Sequence, residues 1–304
     1  MNAALPGAFT PAPSFFEATA RQRVQQLLDA GSWREFLPPP TLASSPHLAA
    51  LDMPGAFDDG VIIGAGLLGA KAVLVAAQEG RFMGGAVGEI HGAKIVGLLR
   101  RALAEKPAAV LLLVDSGGVR LHEANAGLIA VSEIMRAVLA ARAARIAVLA
   151  LIGGSCGAFG GMAIVCSLCS AVLMSEEGRL GLSGPEVIET VMGFEEFDAR
   201  DRALVWRVTG GKHRYLMGDS ADLVEDSSAA FRQGVLDCLG SQDTAPATLA
   251  SLRATQKGLR ARMTRFSSCR DGSEVWAGLG ISAPQDVPLL ERDALIGLKK
   301  GLPA

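Results

Sequence analysis

Two apolar runs, each cut off by glycine, constrain this chain more than any other feature. Leu111-Leu-Leu-Val114 ends in Asp115-Ser-Gly-Gly-Val119, and Ile146-Ala-Val-Leu-Ala-Leu-Ile152 ends in Gly153-Gly-Ser-Cys-Gly157. Short apolar runs bounded by turn signals read as buried strands that turn sharply into helices. Between them, Glu123 to Ala144 is rich in alanine and leucine and free of proline, long enough for the crossover helix of a βαβ unit. A parallel unit puts both glycine turns at the carboxyl ends of neighbouring strands, where open α/β sheets bind ligands. Without a Cβ, glycine lets backbone N–H groups approach a ligand oxygen. Two such turns facing each other are a candidate pair of oxyanion holes.

A chain of 304 residues, 50% of them hydrophobic, can bury a substantial core. A net charge of −2 gives no reason to expect nucleic acid or an anionic membrane as partner. The five cysteines fall at a metal-like spacing only in Cys166-Ser-Leu-Cys169, inside an apolar helical run, which favours buried thiols and a reducing, cytoplasmic compartment over zinc. The start, Met1-Asn-Ala-Ala-Leu-Pro, has no basic residue or apolar core of a signal peptide, so secretion is not expected. Ile146 to Met174 carries no charge and has the length of a membrane span. Its five glycines and three serines read better as strand, turn, buried helix and strand.

The expected organisation is an N-terminal lead and helix over 1–57, a core over 58–226 and a C-terminal helical extension over 227–304. Met1 to Ser14 reads as a mobile lead, Glu17 to Ala30 as an amphipathic helix, and Leu37 to Pro54 as irregular. Gly64-Ala-Gly-Leu-Leu-Gly69 fits the dinucleotide fingerprint G-x-G-x-x-G, but Ala72-Val-Leu-Val-Ala-Ala77 follows too soon for a crossover helix. A hairpin fits better. Beyond it come a helix over Glu89 to Glu105, a strand over Ala108 to Val114, a helix from Gly161 to about Leu168, strands at Ala171 to Met174 and Arg179 to Leu182, and a helix opening at Pro185. Trp206 to Met217 reads as a cationic polar loop. The chain beyond Ser227 is helical, with a break at Ser241 to Ala247.

Several groups have a chemical and a structural reading. Gly153-Gly-Ser-Cys-Gly157 is also G-x-S-x-G, which would make Ser155 a hydrolase nucleophile with His213 as the one downstream histidine. Cys156 is a second possible nucleophile or a small buried residue. His91 and His122 sit near glycine turns as acids, bases or satisfied core groups. Arg120 can meet a carboxylate or phosphate, or pair with Glu123 one turn on. Lys212, His213 and Arg214 suit the phosphates of a thioester carrier or form a plain exposed loop. The basic stretch Arg253 to Arg265 is a solvated helix face or a dock for an acidic protein.

Four motifs in order, Phe82-Met-Gly-Gly-Ala-Val-Gly88, Asp115-Ser-Gly-Gly-Val-Arg-Leu-His-Glu123, Gly157-Ala-Phe-Gly-Gly161 and Gly184-Pro-Glu-Val-Ile-Glu189, resemble the β subunit of acyl-CoA carboxyltransferases, a branch of the crotonase superfamily. The resemblance runs from about Asp58 to Asp226. Thr209-Gly-Gly-Lys-His-Arg214, with no four-cysteine zinc ribbon before the core, is most similar to the β subunit of biotin-independent malonate decarboxylase. The resemblance implies an α/β fold, a crotonase-like ββα superhelix, acting beside a homologous γ subunit. It further implies malonate carried as a thioester on an acyl carrier protein whose prosthetic group derives from dephospho-CoA, with no permanently bound cofactor and no metal.

That chemistry suits the residues. Loss of CO₂ from a malonyl thioester leaves an enolate, so the barrier falls by stabilising charge on the thioester oxygen, and one backbone donor is worth ~3 kcal/mol. The amides of Gly117, Gly118 and Val119 are the expected donors of one hole, those of Cys156 and Gly157 of the other. Gly84, Gly85, Arg120, Lys212, His213 and Arg214 are the expected contacts to the thioester and its carrier. A biotin-dependent carboxyltransferase would use the same turns. A serine hydrolase and a non-catalytic scaffold subunit remain alternatives from other classes.

Overall fold

The computed structural model describes residues 13–241 and 248–302. Its strands are β1 (Arg34–Phe36), β2 (Val61–Leu68), β3 (Lys71–Gln78), β4 (Ala109–Val114), β5 (Ala147–Ile152), β6 (Ala158–Phe159), β7 (Ala171–Ser175), β8 (Leu180–Gly181) and β9 (Asp222–Val224). Its α-helices are α1 (Ala20–Leu27), α2 (Pro46–Ala50), α3 (Glu89–Glu105), α4 (Asn125–Ala143), α5 (Gly161–Leu168), α6 (Pro185–Met192), α7 (Arg202–Thr209), α8 (Gly211–Leu216), α9 (Ser228–Ser241), α10 (Leu249–Phe266), α11 (Gly272–Gly278) and α12 (Arg292–Lys300).

The main sheet runs β1-β2-β3-β4-β5-β7-β9 and is parallel from β3 onward; β6 and β8 form a small parallel pair. β4 and β5 pair in register from Ala109 opposite Ala147 to Val114 opposite Ile152, and every residue of both is buried. Burial on two faces is why these strands are unbroken apolar runs and not alternating ones. One face lies under α3, α4 and α5, through Ile95, Leu99, Ile134, Val138 and Val165. The other lies under α1 and α9, where the rings of Phe15 and Phe231 stack at 4.1 Å. A separate cluster of Tyr215, Leu216, Trp276, Val287 and Leu295 holds the C-terminal helices together.

The stretch that fits the dinucleotide fingerprint is a hairpin: β2 and β3 are antiparallel across Gly69 and Ala70, both at positive φ (57° and 62°). Left-handed residues in a two-residue loop match the strand twist. Gly64 and Gly66 are strand residues that leave room for Trp33 and Leu28. The uncharged run from Ile146 to Met174 is divided among β5, β6, α5 and β7, and no helix among the described residues is long and apolar enough to cross a membrane.

Three local expectations are corrected. Trp206 to Met217 is not a polar loop but spans the second half of α7 and all of α8, with Lys212, His213, Tyr215 and Leu216 buried. The pattern was masked because Gly211 packs against the Ser175 carbonyl, where a Cβ would lie 2.1 Å away, and drags its polar neighbours inside. The stretch from Leu37 to Pro54 includes α2. The first helix starts only at Ala20, after Thr19 forms a capping box with Gln22. The lead to residue 12 and most of the expected break, 242–247, lie outside the described residues.

Two glycines test this packing. Gly64→Ala would place a Cβ 2.3 Å from the Arg34 carbonyl, and denaturant titration should show a loss of ~1–3 kcal/mol. Gly97→Ala, on α3 with nothing within 4 Å, should instead gain ~0.5–1 kcal/mol. Equal effects at the two positions would contradict the register of β1 on β2.

Candidate functional site

Three glycine clusters interlock at the carboxyl ends of β3, β4 and β5. Asp115, directly after β4, turns inward: its Oδ1 accepts the Cys156 amide at 2.7 Å and its Oδ2 accepts Arg23 Nη1 at 2.8 Å. Both side chains of that ion pair are only 3% exposed. Glycine at 154 follows, since a Cβ there would sit 2.2 Å from the Asp115 carboxyl carbon. The Ser116 amide bonds the Gly157 carbonyl at 2.7 Å, and the Phe159 amide bonds the Ser116 carbonyl at 2.9 Å. The Phe82-Met-Gly-Gly85 cluster closes the third side: the Gly84 carbonyl accepts the Gly117 amide at 2.8 Å, and a Cβ on Gly85 would lie 1.8 Å from the Asp115 carbonyl.

The two strand ends meet at Gly118 and Gly160, both at positive φ (136° and 57°). They approach so closely that a Cβ on Gly160 would be 3.2 Å from the Gly118 Cα. The Val119 amide has no hydrogen-bond partner among the described residues, and the Gly118 amide has only the Ser116 hydroxyl at 3.3 Å. Opposite them α5 opens at Gly161 with no side-chain cap. First-turn amides of a helix lack intrahelical acceptors and carry the positive end of its dipole. Free donors from two elements thus converge beside one glycine contact, an arrangement able to hold a developing oxyanion.

Of the amides named from sequence, the structure leaves Val119 without a partner among the described residues and Gly118 with only the long bond to the Ser116 hydroxyl, and both lie at this contact. Gly117, Cys156 and Gly157 are already engaged, by the Gly84 carbonyl, the Asp115 carboxylate and the Gly154 carbonyl respectively. The second turn closes on itself, so its donors begin later, at Gly161. The signal missed was the Gly160-Gly161 pair immediately before an apolar helix.

The charged candidates face inward. Arg120, with no side-chain exposure, donates from Nη1 to Asp59 at 3.0 Å and Glu123 at 2.7 Å, so the structural reading of this residue holds. Burial raises the Asp59 carboxyl despite that arginine, and it pushes His91, bonded to Gln78 and the Asp59 carbonyl, down to about 3. Lys212 reaches the Pro288 carbonyl and Glu176, both at 2.7 Å, while Arg214 pairs with Asp219 at 3.1 Å. His213 is buried and also held at about 3 by that burial. Lys212 and Arg214 therefore knit the C-terminal helices, His213 is a buried neutral ring, and none of the three is brought to the glycine contact. Gly84 lies open beside the first turn, whereas His122 is exposed next to it.

Ser155 has no histidine within hydrogen-bond reach among the described residues, so the elbow lacks its base. Burial, and then the Asp115 charge, pushes the Cys156 thiol up, the wrong direction for a nucleophile. Cys166 and Cys169 are fully buried thiols, the latter pushed up to about 12. No three metal-ligating side chains converge among the described residues.

Comparison with known proteins agrees with this architecture. The carboxyl transferase domain family matches residues 17–221. The malonyl-S-ACP:biotin-protein carboxyltransferase of Malonomonas rubra is 40% identical over 96% of this chain and 97% of its own. A Pseudomonas malonate decarboxylase hetero-tetramer in complex with malonate has a subunit 39% identical, with a TM-score of 0.79 over 88% of this chain and 97% of its own. A Pseudomonas malonate decarboxylase hetero-dimer gives 38% identity and a TM-score of 0.64 over 82% and 96%. The resemblance read from the four motifs, and the carboxyltransferase fold it implied, are borne out.

Two measurements probe the groups that hold the site. Asp115→Asn or Arg23→Met leaves one buried partner uncompensated, and urea unfolding should show a loss of ~3–5 kcal/mol for either. His91 and His213 have folded values near 3, below the ordinary 6.5, so only the unfolded chain takes up their protons on acidification. Their contribution is complete above about pH 6.5 and is lost as pH falls toward 3, at ~1.4 kcal/mol per pH unit for each histidine. An unfolding free energy that stays flat between about pH 6.5 and 5 would contradict their burial as neutral rings.

Proposed function

This chain belongs to the carboxyl transferase family, and from that premise we propose that it is a subunit of an enzyme that removes the carboxyl group of a malonyl thioester carried on an acyl carrier protein. The observation that carries the proposal is the Gly118–Gly160 contact, with unengaged amides on both sides of it. The C–C bond to the carboxylate breaks, its electron pair passes to the thioester as an enolate, and the amides of Gly118, Val119 and the first turn of α5 hold the resulting oxyanion. A proton then completes the acetyl thioester and CO₂ leaves.

The apolar surround supports a second, homologous subunit. Leu121, three residues past Gly118, is 82% exposed, and Leu182, whose carbonyl accepts the Gly160 amide, is 67% exposed, more apolar surface than a finished site leaves to water. The malonate decarboxylase relatives are hetero-oligomers. The M. rubra relative, by contrast, is named as a transferase to a biotin protein, which supports a second reading in which the same enolate step delivers the carboxyl group to biotin. Avidin separates the two: inhibition of CO₂ release supports transfer, insensitivity supports direct decarboxylation.

Gly118→Val tests the mechanism. Its Cβ faces open space 3.9 Å from Gly160, so the bulk crowds the site and not the core, with a backbone strain of ~1–2 kcal/mol. In the reconstituted complex CO₂ release should fall by ~10² or more, while Ser155→Ala should leave it nearly unchanged. A fully active Gly118→Val beside a dead Ser155→Ala would replace the oxyanion hole with the nucleophile elbow.

A further inference from the structure

α10 is long and exposed along most of its surface. None of its 18 residues is buried, although most helical stability in proteins comes from packing an amphipathic face. What ties it to the body is polar: Arg262 Nη1 donates to the Met217 carbonyl and Asp219, both at 2.9 Å, and Arg265 donates to the Gly278 carbonyl at 2.6 Å. Helical spacing sorts the rest of its surface. Leu249, Leu252, Leu259 and Met263, 48–68% exposed, share one stripe. Arg253, Lys257 and Arg260 line its shoulder and pair with no acid among the described residues. The helix itself contains no aspartate or glutamate.

A groove of about 710 Å³ runs beneath it, walled by Thr255, Leu259 and Arg262 on one side and by Ile164 of α5 and Leu182 on the other. Leu182 is the residue whose carbonyl accepts the Gly160 amide, at 2.9 Å. The groove therefore runs from α10 to Leu182, the residue bonded to Gly160.

We propose that α10 is the docking face for the acyl carrier protein. An acidic helix of the carrier covers the Leu-Met stripe with its carboxylates against Arg253, Lys257 and Arg260, and the thioester arm follows the groove to Gly118 and Gly160. This deepens, and rests on, the functional reading above. A second copy of this chain is a poorer occupant, since a symmetric contact through α10 would set like charges against each other. Exposed Leu121 beside the first turn offers the homologous subunit separate apolar ground.

The test is the triple charge reversal Arg253→Glu, Lys257→Glu, Arg260→Glu in the reconstituted complex. It is assayed on malonyl thioester of the cognate carrier protein and on malonyl-N-acetylcysteamine, which has the thioester but no protein. KM for the carrier-bound substrate should rise ~10-fold or more, with the difference shrinking at high salt, while kcat/KM on the small thioester stays unchanged. An unaltered KM for the carrier substrate, or equal losses on both substrates, overturns the docking proposal. If the wild-type complex turns over neither substrate, the functional reading fails, and docking is read separately from the fluorescence anisotropy of labelled carrier. Binding by wild type that the triple variant loses supports it; no binding by wild type, or identical binding by both, overturns it.

Discussion

The site depends on one buried carboxylate. Asp115 stands where the first strand ends, yet both its oxygens are occupied elsewhere: one by the amide of Cys156 on the second turn, the other by Arg23 from the N-terminal helix. An isolated charge at 3% exposure would be prohibitive, and Arg23 makes it tolerable by pairing with it and donating also to the carbonyls of Phe15 and Phe16. The segment around Phe15 and Arg23 is thereby part of the site's scaffold.

A second ionic knot serves the other side of the first turn. Asp59, Arg120 and Glu123 are fully buried together, and Glu123 also accepts the Glu89 amide at the start of α3. Burial raises Asp59, whereas in Glu123 the same burial is outweighed by the Glu89 amide and Arg120, leaving that carboxyl below its ordinary range. Charges on both flanks of the glycine contact are thus neutralised internally. What remains to meet a substrate is backbone, which suits a reaction whose demand is a fixed dipole aimed at an oxyanion and not a titrating side chain.

Backbone donors need walls, and this chain supplies only part of them. The contact of Gly118 and Gly160 has exposed Leu121 close by in the first turn and, bonded to Gly160, Leu182 at the wall of the groove under α10. An oxyanion hole open to water loses much of its advantage because solvent competes for the same charge. Completion by other proteins is therefore a physical requirement of the chemistry proposed here.

The sequence determined the frame. The short apolar runs at Ala109 to Val114 and Ala147 to Ile152, each stopped by glycine, read as strands buried on both faces that end in sharp turns, so sheet, crossover and location of the site follow from local pattern. The hairpin at Gly69 was legible for the same reason: the next strand came too soon for a helix. Tertiary structure alone decided which amides stay free. Gly117, Cys156 and Gly157 look equivalent to Gly118 and Val119 in a one-dimensional pattern, but their donors are satisfied by Gly84, Asp115 and Gly154, partners fixed by how three turns stack. It also decided that Arg120, Lys212 and His213 turn inward, because a charged side chain near a turn has no sequence mark for whether its nearest counter-charge lies in solvent, in a ligand, or, as for Arg120, sixty-one residues away at Asp59.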